Sequence, residues 1–525
     1  MEAAFGDKKR LFFDETRRFL KCVPKGTDEK SNAVSSKKGR ILAQRVAPKQ
    51  ALKAEYYLNP TVHIMKKALR LVAEALNGKE KSFTTGSINR AIVLLSIPMI
   101  LEMVMESLFA VADVFFVSRI GVDAIAVVGL TESVVTLAYA IAVGLSMAAT
   151  AMVARRIGEQ DPEKAATAAA QAILIALGIA LPLGVVGLFF AGDILRLMGA
   201  SEALVAGGVG YTRILLSTNL IIMLLFLLNG IFRGAGDAAI AMRSLWVANI
   251  INIILDPLFI FGIGPFPELG VQGAAVATAI GRGIGVAYQL SHLFGRSGAI
   301  RIRREHFRIV PQVISKLARV SSTGAGQFLI GSASWIVLMR IIAHFGSEAV
   351  AGYTIAIRLI IFTILPSWGL ANAAATLVGQ NLGANKPGRA EQSVWRTALI
   401  NMLFLLCVSI IYALLAHPIL GLFKPEPAVL EAGVLSLRII CTGYIFFAYG
   451  MVISQAFNGA GDTRTPTIIN FFCFWIMEIP LSYFLAIQLG WGLAGVCWSI
   501  AASESALAAI SIIVFRQGKW KSVVI

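Results

Sequence analysis

An asparagine and an aspartate lie within a long apolar stretch, residues 249–262, that reads NIINIILDPLFIFG. Asn252 and Asp256 are four residues apart and therefore share one face of a helix. Pro257 lacks the N–H that continues a helical ladder, so it loosens the backbone beside them. A carboxylate in a membrane-length apolar segment is costly unless it is neutralised, paired or hydrated. The stretch is therefore a candidate functional site.

A second apolar stretch, near residues 91–118, carries the acids Glu102, Glu106 and Asp113. At about 100° per residue, the three fall within about 40° of one another on a helix. Such a face predicts a hydrated interior, although Glu102 and Glu106 could instead be structural partners of hydroxyl or backbone groups. Glu478 and Glu504 lie in later apolar stretches and are either substrate-facing groups or satisfied helix contacts.

The composition places the chain in a bilayer, because 57% of its 525 residues are hydrophobic and only 15% are charged. The net charge of +17 is concentrated in an amino-terminal tail and in short loops, which positive-inside topology explains without a nucleic-acid partner. The cysteines form no CxxC pair, and the four beyond Cys22 are expected to be packing residues. Since no metal-ligand or nucleophile–base spacing is present, we expect neither a metal site nor an enzyme.

Apolar stretches of membrane length alternate with short polar breaks, and every second break is rich in arginine and lysine. This pattern predicts an all-α polytopic membrane protein with twelve transmembrane helices and both termini in the cytoplasm. The stretches lie near residues 91–118, 123–150, 165–190, 207–231, 244–263, 271–294, 318–343, 349–379, 392–416, 429–456, 465–488 and 491–515.

The chain repeats itself at an offset of 225 residues. The sequence Gly234-Ala-Gly-Asp237 returns as Gly459-Ala-Gly-Asp462, and the pattern around Ile157-Gly158 returns around Leu382-Gly383. Because six helices separate the copies, both halves keep the same orientation across the membrane. Parallel repeats of this kind build transporters with a cavity between two lobes that alternates its access.

The repeat and the charge pattern divide the chain into five parts. Residues 1–85 are a basic, mostly disordered cytoplasmic tail with an amphipathic helix near 61–78. Residues 86–295 form an amino-terminal six-helix lobe, 296–317 a basic cytoplasmic loop, 318–516 a carboxyl-terminal six-helix lobe, and 517–525 a second cytoplasmic tail.

The predicted topology brings five polar residues of the first lobe to one depth, namely Asp113, Tyr211, Asn252, Asp256 and Thr278. Two carboxylates that meet in a low dielectric either exchange a proton or hold a monovalent cation such as sodium, here at Asp113 and Asp256. Asp113 corresponds to Leu338 at the offset of 225, so the predicted site is single and asymmetric.

Several segments from Gly86 to Phe515 resemble the multidrug and toxic compound extrusion (MATE) family. They include Ala112-Asp113 followed by Phe116-Val117, the Gly234-Ala-Gly-Asp237 loop, and Asp256-Pro257-Leu258-Phe259. The resemblance implies twelve helices in two lobes, and export of organic, often cationic, compounds driven by inward proton or sodium movement. Asp113, Asn252, Asp256, Tyr211 and Thr278 match an ion-coupling cluster of the branch called DinF-like.

These observations together predict a monomeric, secondary active multidrug efflux antiporter of the bacterial inner membrane. We expect small-molecule drugs or toxic organic compounds as substrates, proton or sodium as the coupling ion, and no cofactor. The alternative is a flippase for a lipid-linked or polysaccharide precursor, which would need basic residues in its cavity for phosphate. Arg340, Arg358 and Arg438 are the arginines within apolar stretches that bear on that alternative.

Overall fold

The computed structural model describes residues 60–78, 82–295 and 298–525. Within these residues the regular structure is helical, and no strand occurs. The predicted disorder of residues 1–59 lies outside the described residues. The predicted amphipathic helix near 61–78 corresponds to α1, Pro60–Asn77, on which Met65, Leu69 and Val72 form an exposed apolar stripe.

The first lobe consists of seven helices. They are α2 Ile88–Ser118, α3 Val122–Gly158, α4 Pro162–Leu197, α5 Glu202–Ser217, α6 Asn219–Gly234, α7 Ala238–Phe261 and α8 Val271–Phe294. A 3₁₀ turn, Arg304–Phe307, lies between the lobes. The second lobe consists of α9 Pro311–Ala343, α10 Ser347–Gly383, α11 Pro387–Gly421, α12 Pro427–Thr442, α13 Tyr444–Ala460, α14 Arg464–Gln488 and α15 Gly492–Arg516.

Among the described residues, nine helices are long and apolar enough to cross a bilayer, and two bent pairs bring the number to 11. The twelfth span is α8, whose 24 residues rise about 1.5 Å each and so cover a membrane core. Its apolar character is interrupted by Arg282 and Gln289, which are buried inside the protein. The prediction of an all-α membrane protein with twelve helices in two lobes is confirmed.

The predicted spans 207–231 and 429–456 are not continuous helices. The first is bent by 41° between α5 and α6 at Thr218, and the second by 57° between α12 and α13 at Gly443. Thr218 Oγ1 donates to the carbonyl oxygen of Ile214 at 2.7 Å, a side-chain hydrogen bond of the kind that bends helices. Gly443 lacks a β-carbon, so its backbone is more flexible and favours a regular helix less than other residues do.

The repeat is visible in the helix boundaries themselves. Helix α3 starts and ends 225 residues before α10, and the bends at Thr218 and Gly443 are separated by the same offset. Even the non-helical residue within α4, Phe190, has its counterpart in α11 at Leu415. The backbone geometry of the two lobes therefore follows one common plan.

The lobes touch closely at one end of the bundle, where α3 and α10 end. We call this the basic end, because the adjoining turns carry Arg155, Arg156, Lys164, Lys386 and Arg389. A β-carbon added at Gly158 would lie 2.0 Å from the carbonyl oxygen of Gln380, and one added at Gly383 would lie 2.1 Å from that of Arg155. Only glycine permits this approach, so the basic end is closed by direct backbone contact.

Candidate functional site

The polar residues in the middle and at the carboxyl end of α7 lie on its buried face. Asn249, Asn252 and Asp256 follow one another at intervals of three and four residues, which places them on one side of the helix, and each is fully buried. This side packs against α2 and α8, so the costly groups face protein and not lipid.

Three of the five predicted ion-coupling residues are joined by hydrogen bonds. The amide of Asn252 donates to Asp256 Oδ1 at 3.4 Å and to Thr278 Oγ1 of α8 at 3.1 Å. Asp256 Oδ2 and Asn252 Oδ1 are buried and have no hydrogen-bond partner among the described residues. Unsatisfied oxygens on two hydrogen-bonded side chains suit a proton on the carboxylate or a small hard cation such as sodium.

Asp113 and Tyr211 lie around the same group. Asp113 is largely buried and interacts electrostatically with Asp256. Tyr211 is buried and lies within electrostatic range of Asp113. The structure therefore brings the five residues together in the first lobe, as the predicted depths require, while their role in transport stays a prediction.

Sequence reasoning missed three residues beside this cluster, namely Glu132 and Tyr139 of α3 and Arg282 of α8. Asp113 interacts electrostatically with Glu132 and Arg282, and Arg282 donates to the Tyr139 hydroxyl at 2.8 Å. Arg282 lies within the sequence Gly281-Arg-Gly283-Ile-Gly285, whose glycines suggest close helix packing. The same intramembrane-charge argument that selected Asp256 would have found it.

A cavity of about 270 Å³ lies between the lobes. The charged groups of its lining, Glu102, Glu106 and Arg233, all come from the first lobe, whereas the second lobe contributes aromatic and amide side chains that include Phe328, Trp368 and Asn372. Arg233 is 3.3 Å from Glu102 Oε1, and Glu102 is only 1% exposed. The cavity thus has one charged wall and one uncharged wall.

The second pair of predicted acids lies elsewhere. Glu478 is buried at the end of a π-helical segment of α14, Phe471–Glu478, and Glu504 lies on the neighbouring α15. Ser482 and Ser499 are hydrogen-bonded between these two helices. The lining of the central cavity includes neither acid, so their role remains a prediction.

Within the described ranges, one group of side chains has the geometry of a metal site. Ligand atoms of Glu163, Glu305 and His306 lie within 4.8 Å of one another at the basic end. His306 Nδ1 accepts the main-chain N–H of Arg303, so a neutral ring carries its proton on Nε2, facing Glu163 at 2.9 Å. The Arg303 guanidinium also reaches both carboxylates. The group is a contact between the inter-lobe segment and α4.

The cysteines are unpaired in the part of the chain that the structure describes. Cys441, Cys473 and Cys497 are buried, as expected of packing residues, whereas Cys407 is exposed on α11. The expectation for Cys407 is wrong because an apolar stretch does not tell which face of its helix turns outward. Cys22 lies outside the described residues.

The comparison with protein families decides the identity of the chain. The MatE family model matches residues 98–258 and again residues 325–484, once in each lobe. The chain belongs to the MatE family. The predicted resemblance is therefore confirmed, and the two matches follow the internal repeat.

Proteins similar to this MatE chain include bacterial multidrug resistance proteins and a FAD transporter. A probable multidrug resistance protein NorM of Thermotoga maritima is 27% identical over 448 residues, which cover 83% of this chain and 93% of the relative. A FAD transporter of Shewanella oneidensis is 29% identical over 402 residues, covering 75% and 87%. A crystal structure of MATE in complex with MaL6 is 28% identical, with a TM-score of 0.79 over 83% of this chain and 98% of that one.

A second solved structure shows an outward-facing conformation of a multidrug resistance MATE family transporter. It is 27% identical to this chain, with a TM-score of 0.79, and covers 85% of this chain and 100% of that one. The MatE chain is accordingly a multi-pass membrane protein whose relatives are transporters.

Proposed function

We propose that this chain is a secondary active efflux antiporter that exports organic, often cationic, compounds in exchange for protons or sodium ions. The observation that carries the proposal is the buried group Asn252–Asp256–Thr278, with its unsatisfied oxygens, in the lobe that also supplies the charged wall of the central cavity. Coupling requires that ion binding changes the affinity for the substrate, and a site beside the cavity is placed for that task.

The charges of the cavity favour cationic over anionic substrates. Two carboxylates, Glu102 and Glu106, and one guanidinium, Arg233, line the cavity, and Arg233 is paired with Glu102. Glu106 has only a long contact of 3.6 Å with Arg282, which lies outside the lining. FAD carries a negatively charged pyrophosphate, which the carboxylates of this cavity would repel. The likeness to a FAD transporter is therefore weaker support for the substrate than the likeness to multidrug resistance proteins. The flippase alternative is disfavoured because it needs basic residues in the cavity for phosphate, and Arg340, Arg358 and Arg438 are not part of the cavity lining.

The orientation follows from the charge pattern. The basic end faces the cytoplasm, as positive-inside topology requires, and the protein lies in a bacterial inner membrane as a monomer with both termini inside. The backbone contact at Gly158 and Gly383 then closes the cytoplasmic side. We further assign the chain to the DinF-like branch, whose coupling residues match Asp113, Asn252 and Asp256.

Transport by the purified full-length protein in proteoliposomes tests the proposal. A fluorescent organic cation is followed under a proton gradient and, separately, under a sodium gradient. We expect one gradient to drive transport, and we expect Asp113→Asn and Asp256→Asn each to abolish the driven component because each removes an ionisable carboxylate. Asp193→Asn is the matched control, since Asp193 is an exposed acid at the end of α4. Gradient-driven transport that persists in both site variants would refute the proposal.

A further inference from the structure

Arg282 is an arginine buried within a membrane-spanning helix, and the cluster Asn252–Asp256–Thr278 does not require it. The residue is only 4% exposed, although a guanidinium away from water is costly unless it is paired. A buried charge in a transmembrane helix points to a functional role by default. The contacts of Arg282 indicate what that role is.

The guanidinium is held loosely. Its Nη2 lies 3.6 Å from Glu106 Oε1, which is within ion-pair range but longer than a hydrogen bond. Its Nη1 donates to the Tyr139 hydroxyl, its Cζ lies 5.1 Å from the ring centre of Phe109, and its Nε has no hydrogen-bond partner among the described residues. Arg282 therefore retains donors that a second carboxylate could use.

Arg282 lies between the ion cluster and the central cavity. On α8 it is four residues from Thr278, so both side chains lie on one face, with Thr278 in the ion cluster. Its partner Glu106 lines the cavity and also accepts a hydrogen bond from Asn249 at 3.2 Å. On α2, Asp113 lies seven residues beyond Glu106, with Phe109 between them.

The charged and titratable groups that interact with Arg282 come from three helices. Glu106 and Asp113 belong to α2, Glu132 and Tyr139 to α3, and Tyr211 to α5, and all interact electrostatically with Arg282. Asp256 of α7 interacts in turn with Asp113. The Arg282 guanidinium thus interacts with an acid of the ion cluster, Asp113, and an acid of the cavity, Glu106. A change of charge on one acid changes how strongly the guanidinium is attracted to the other.

We propose that Arg282 is the positioning residue that links ion binding to substrate binding, by dividing its charge between Asp113 in the ion cluster and Glu106 in the cavity. The inference rests on the proposed function. When Asp113 is ionised, it attracts the guanidinium and leaves Glu106 free to bind the cationic group of a substrate. When a proton or sodium ion neutralises Asp113, Arg282 turns to Glu106 and cancels the negative charge that held the substrate. Ion and substrate then compete, as exchange requires.

Equilibrium binding, without any gradient, tests the link. Ethidium binding to the detergent-solubilised full-length protein is measured by fluorescence anisotropy at acidic and alkaline pH, with and without sodium. In the unaltered protein we expect the affinity to fall about 5-fold or more when the coupling ion is present. In Arg282→Gln we expect the coupling ion to change the ethidium affinity by less than about 2-fold. In Arg282→Lys, which keeps the positive charge, we expect the ion to lower the ethidium affinity again, as it does in the unaltered protein.

Two further variants complete the experiment. Arg213→Gln removes an exposed arginine of the neighbouring α5 and should leave the ion dependence unchanged. Glu106→Gln leaves Arg282 with its other partners but makes position 106 permanently neutral, so ethidium should bind weakly and without ion dependence. This variant tests the link even if Arg282→Gln does not fold. An ion dependence in Arg282→Gln or Glu106→Gln equal to that of the unaltered protein would overturn the role of Arg282. If the unaltered protein shows neither ion-dependent ethidium binding nor gradient-driven transport, the proposed function is overturned as well.

Discussion

The ion pair between Glu102, which is buried, and Arg233, which is partly buried, illustrates how a single residue in the cavity wall can carry a large energetic effect. Glu102 is 1% exposed, its Oε1 lies 3.3 Å from Arg233, and its Oε2 has no hydrogen-bond partner in the described part of the chain. Removing one partner of a buried ion pair leaves the other charge uncompensated, which is worse than removing both. The pair is thus a sensitive probe of the environment in the cavity wall.

We expect Arg233→Met to destabilise the folded protein by about 3 to 5 kcal/mol, because Glu102 keeps its buried charge without a partner. The double variant Glu102→Gln with Arg233→Met should recover most of that loss. Thermal unfolding of the detergent-solubilised protein measures both. If the double variant unfolds at as low a temperature as Arg233→Met alone, the lost packing of Arg233, and not the unpaired charge, is responsible.

At the residue level, the sequence allowed most of the candidate site to be predicted. Asn252 and Asp256 stand out because polar groups in an apolar stretch are costly, and the helical period and the predicted depths place them with Thr278, Tyr211 and Asp113. Arg282 was not predicted, because its flanking glycines explain the same segment by packing. Periodicity also gives no contact distances, so the pairing of Arg282 with Glu106 could only come from the structure.

Individual helices depend on local signals that the two lobes do not share. Helix α4 begins after Asp161, whose Oδ1 accepts the backbone N–H of Lys164 at 2.9 Å. The Lys164 side chain lies 2.8 Å from the same carboxylate, and these hydrogen bonds lower the pKa of Asp161 below its usual value. The position 225 residues later is Lys386, which makes no side-chain cap for α11. The repeat preserves the helix boundary but not the cap.

We expect Asp161→Ala to destabilise the protein by about 1 kcal/mol at neutral pH, through the loss of the cap. Because the pKa of Asp161 is lowered on folding, the charge-dependent part of its contribution is present above the pKa of the unfolded chain, about 3.9, and is lost as the pH falls through the folded-state pKa. That part is small, since Asp161 is partly exposed and water screens its interaction with the exposed Lys164.

Thermal unfolding midpoints across the pH range measure this effect. The difference between Asp161→Ala and the unaltered protein should be constant near neutrality and should narrow only at the acidic extreme. Asp123→Ala is the control, since Asp123 is also an acid in a first helical turn but α3 has no side-chain cap. An equal loss in both variants would mean that a general helix-dipole effect accounts for the role of Asp161.

The helices themselves were predictable to the extent that hydropathy reveals them. Continuous apolar stretches gave the number of spans and their approximate positions, because a backbone in lipid must satisfy its hydrogen bonds internally. The bends at Thr218 and Gly443 were not predicted, since the chain stays apolar through both. Extensions such as α3 reaching Gly158 were also missed, because the helix continues past the apolar region into the basic end.

At the scale of the whole molecule, the segment after α15 ties the two lobes together at the basic end. Trp520 is fully buried and stacks on Phe515, which anchors the segment to the second lobe. The main-chain oxygens of Val523 and Ile525 accept hydrogen bonds from Arg155 and Arg156 of the first lobe at 2.7 and 2.8 Å. The segment therefore crosses the seam that Gly158 and Gly383 close.

Two adjacent side chains of this segment provide a matched test of that bridge. Ile525 is 6% exposed and packs into the hydrophobic core of the first lobe, whereas Val524 is 81% exposed. Ile525→Asp would place a carboxylate among apolar side chains, which is costly enough to detach the segment from the first lobe, while Val524→Asp leaves its carboxylate in solvent. We expect hydrogen–deuterium exchange at the ends of α3 and α10 to increase in Ile525→Asp only. The proposed antiport requires the basic end to open during transport, so the same variant should shift the protein toward the state open at that end. Equal exchange in the two variants would show that the glycine contacts close the basic end without help from this segment.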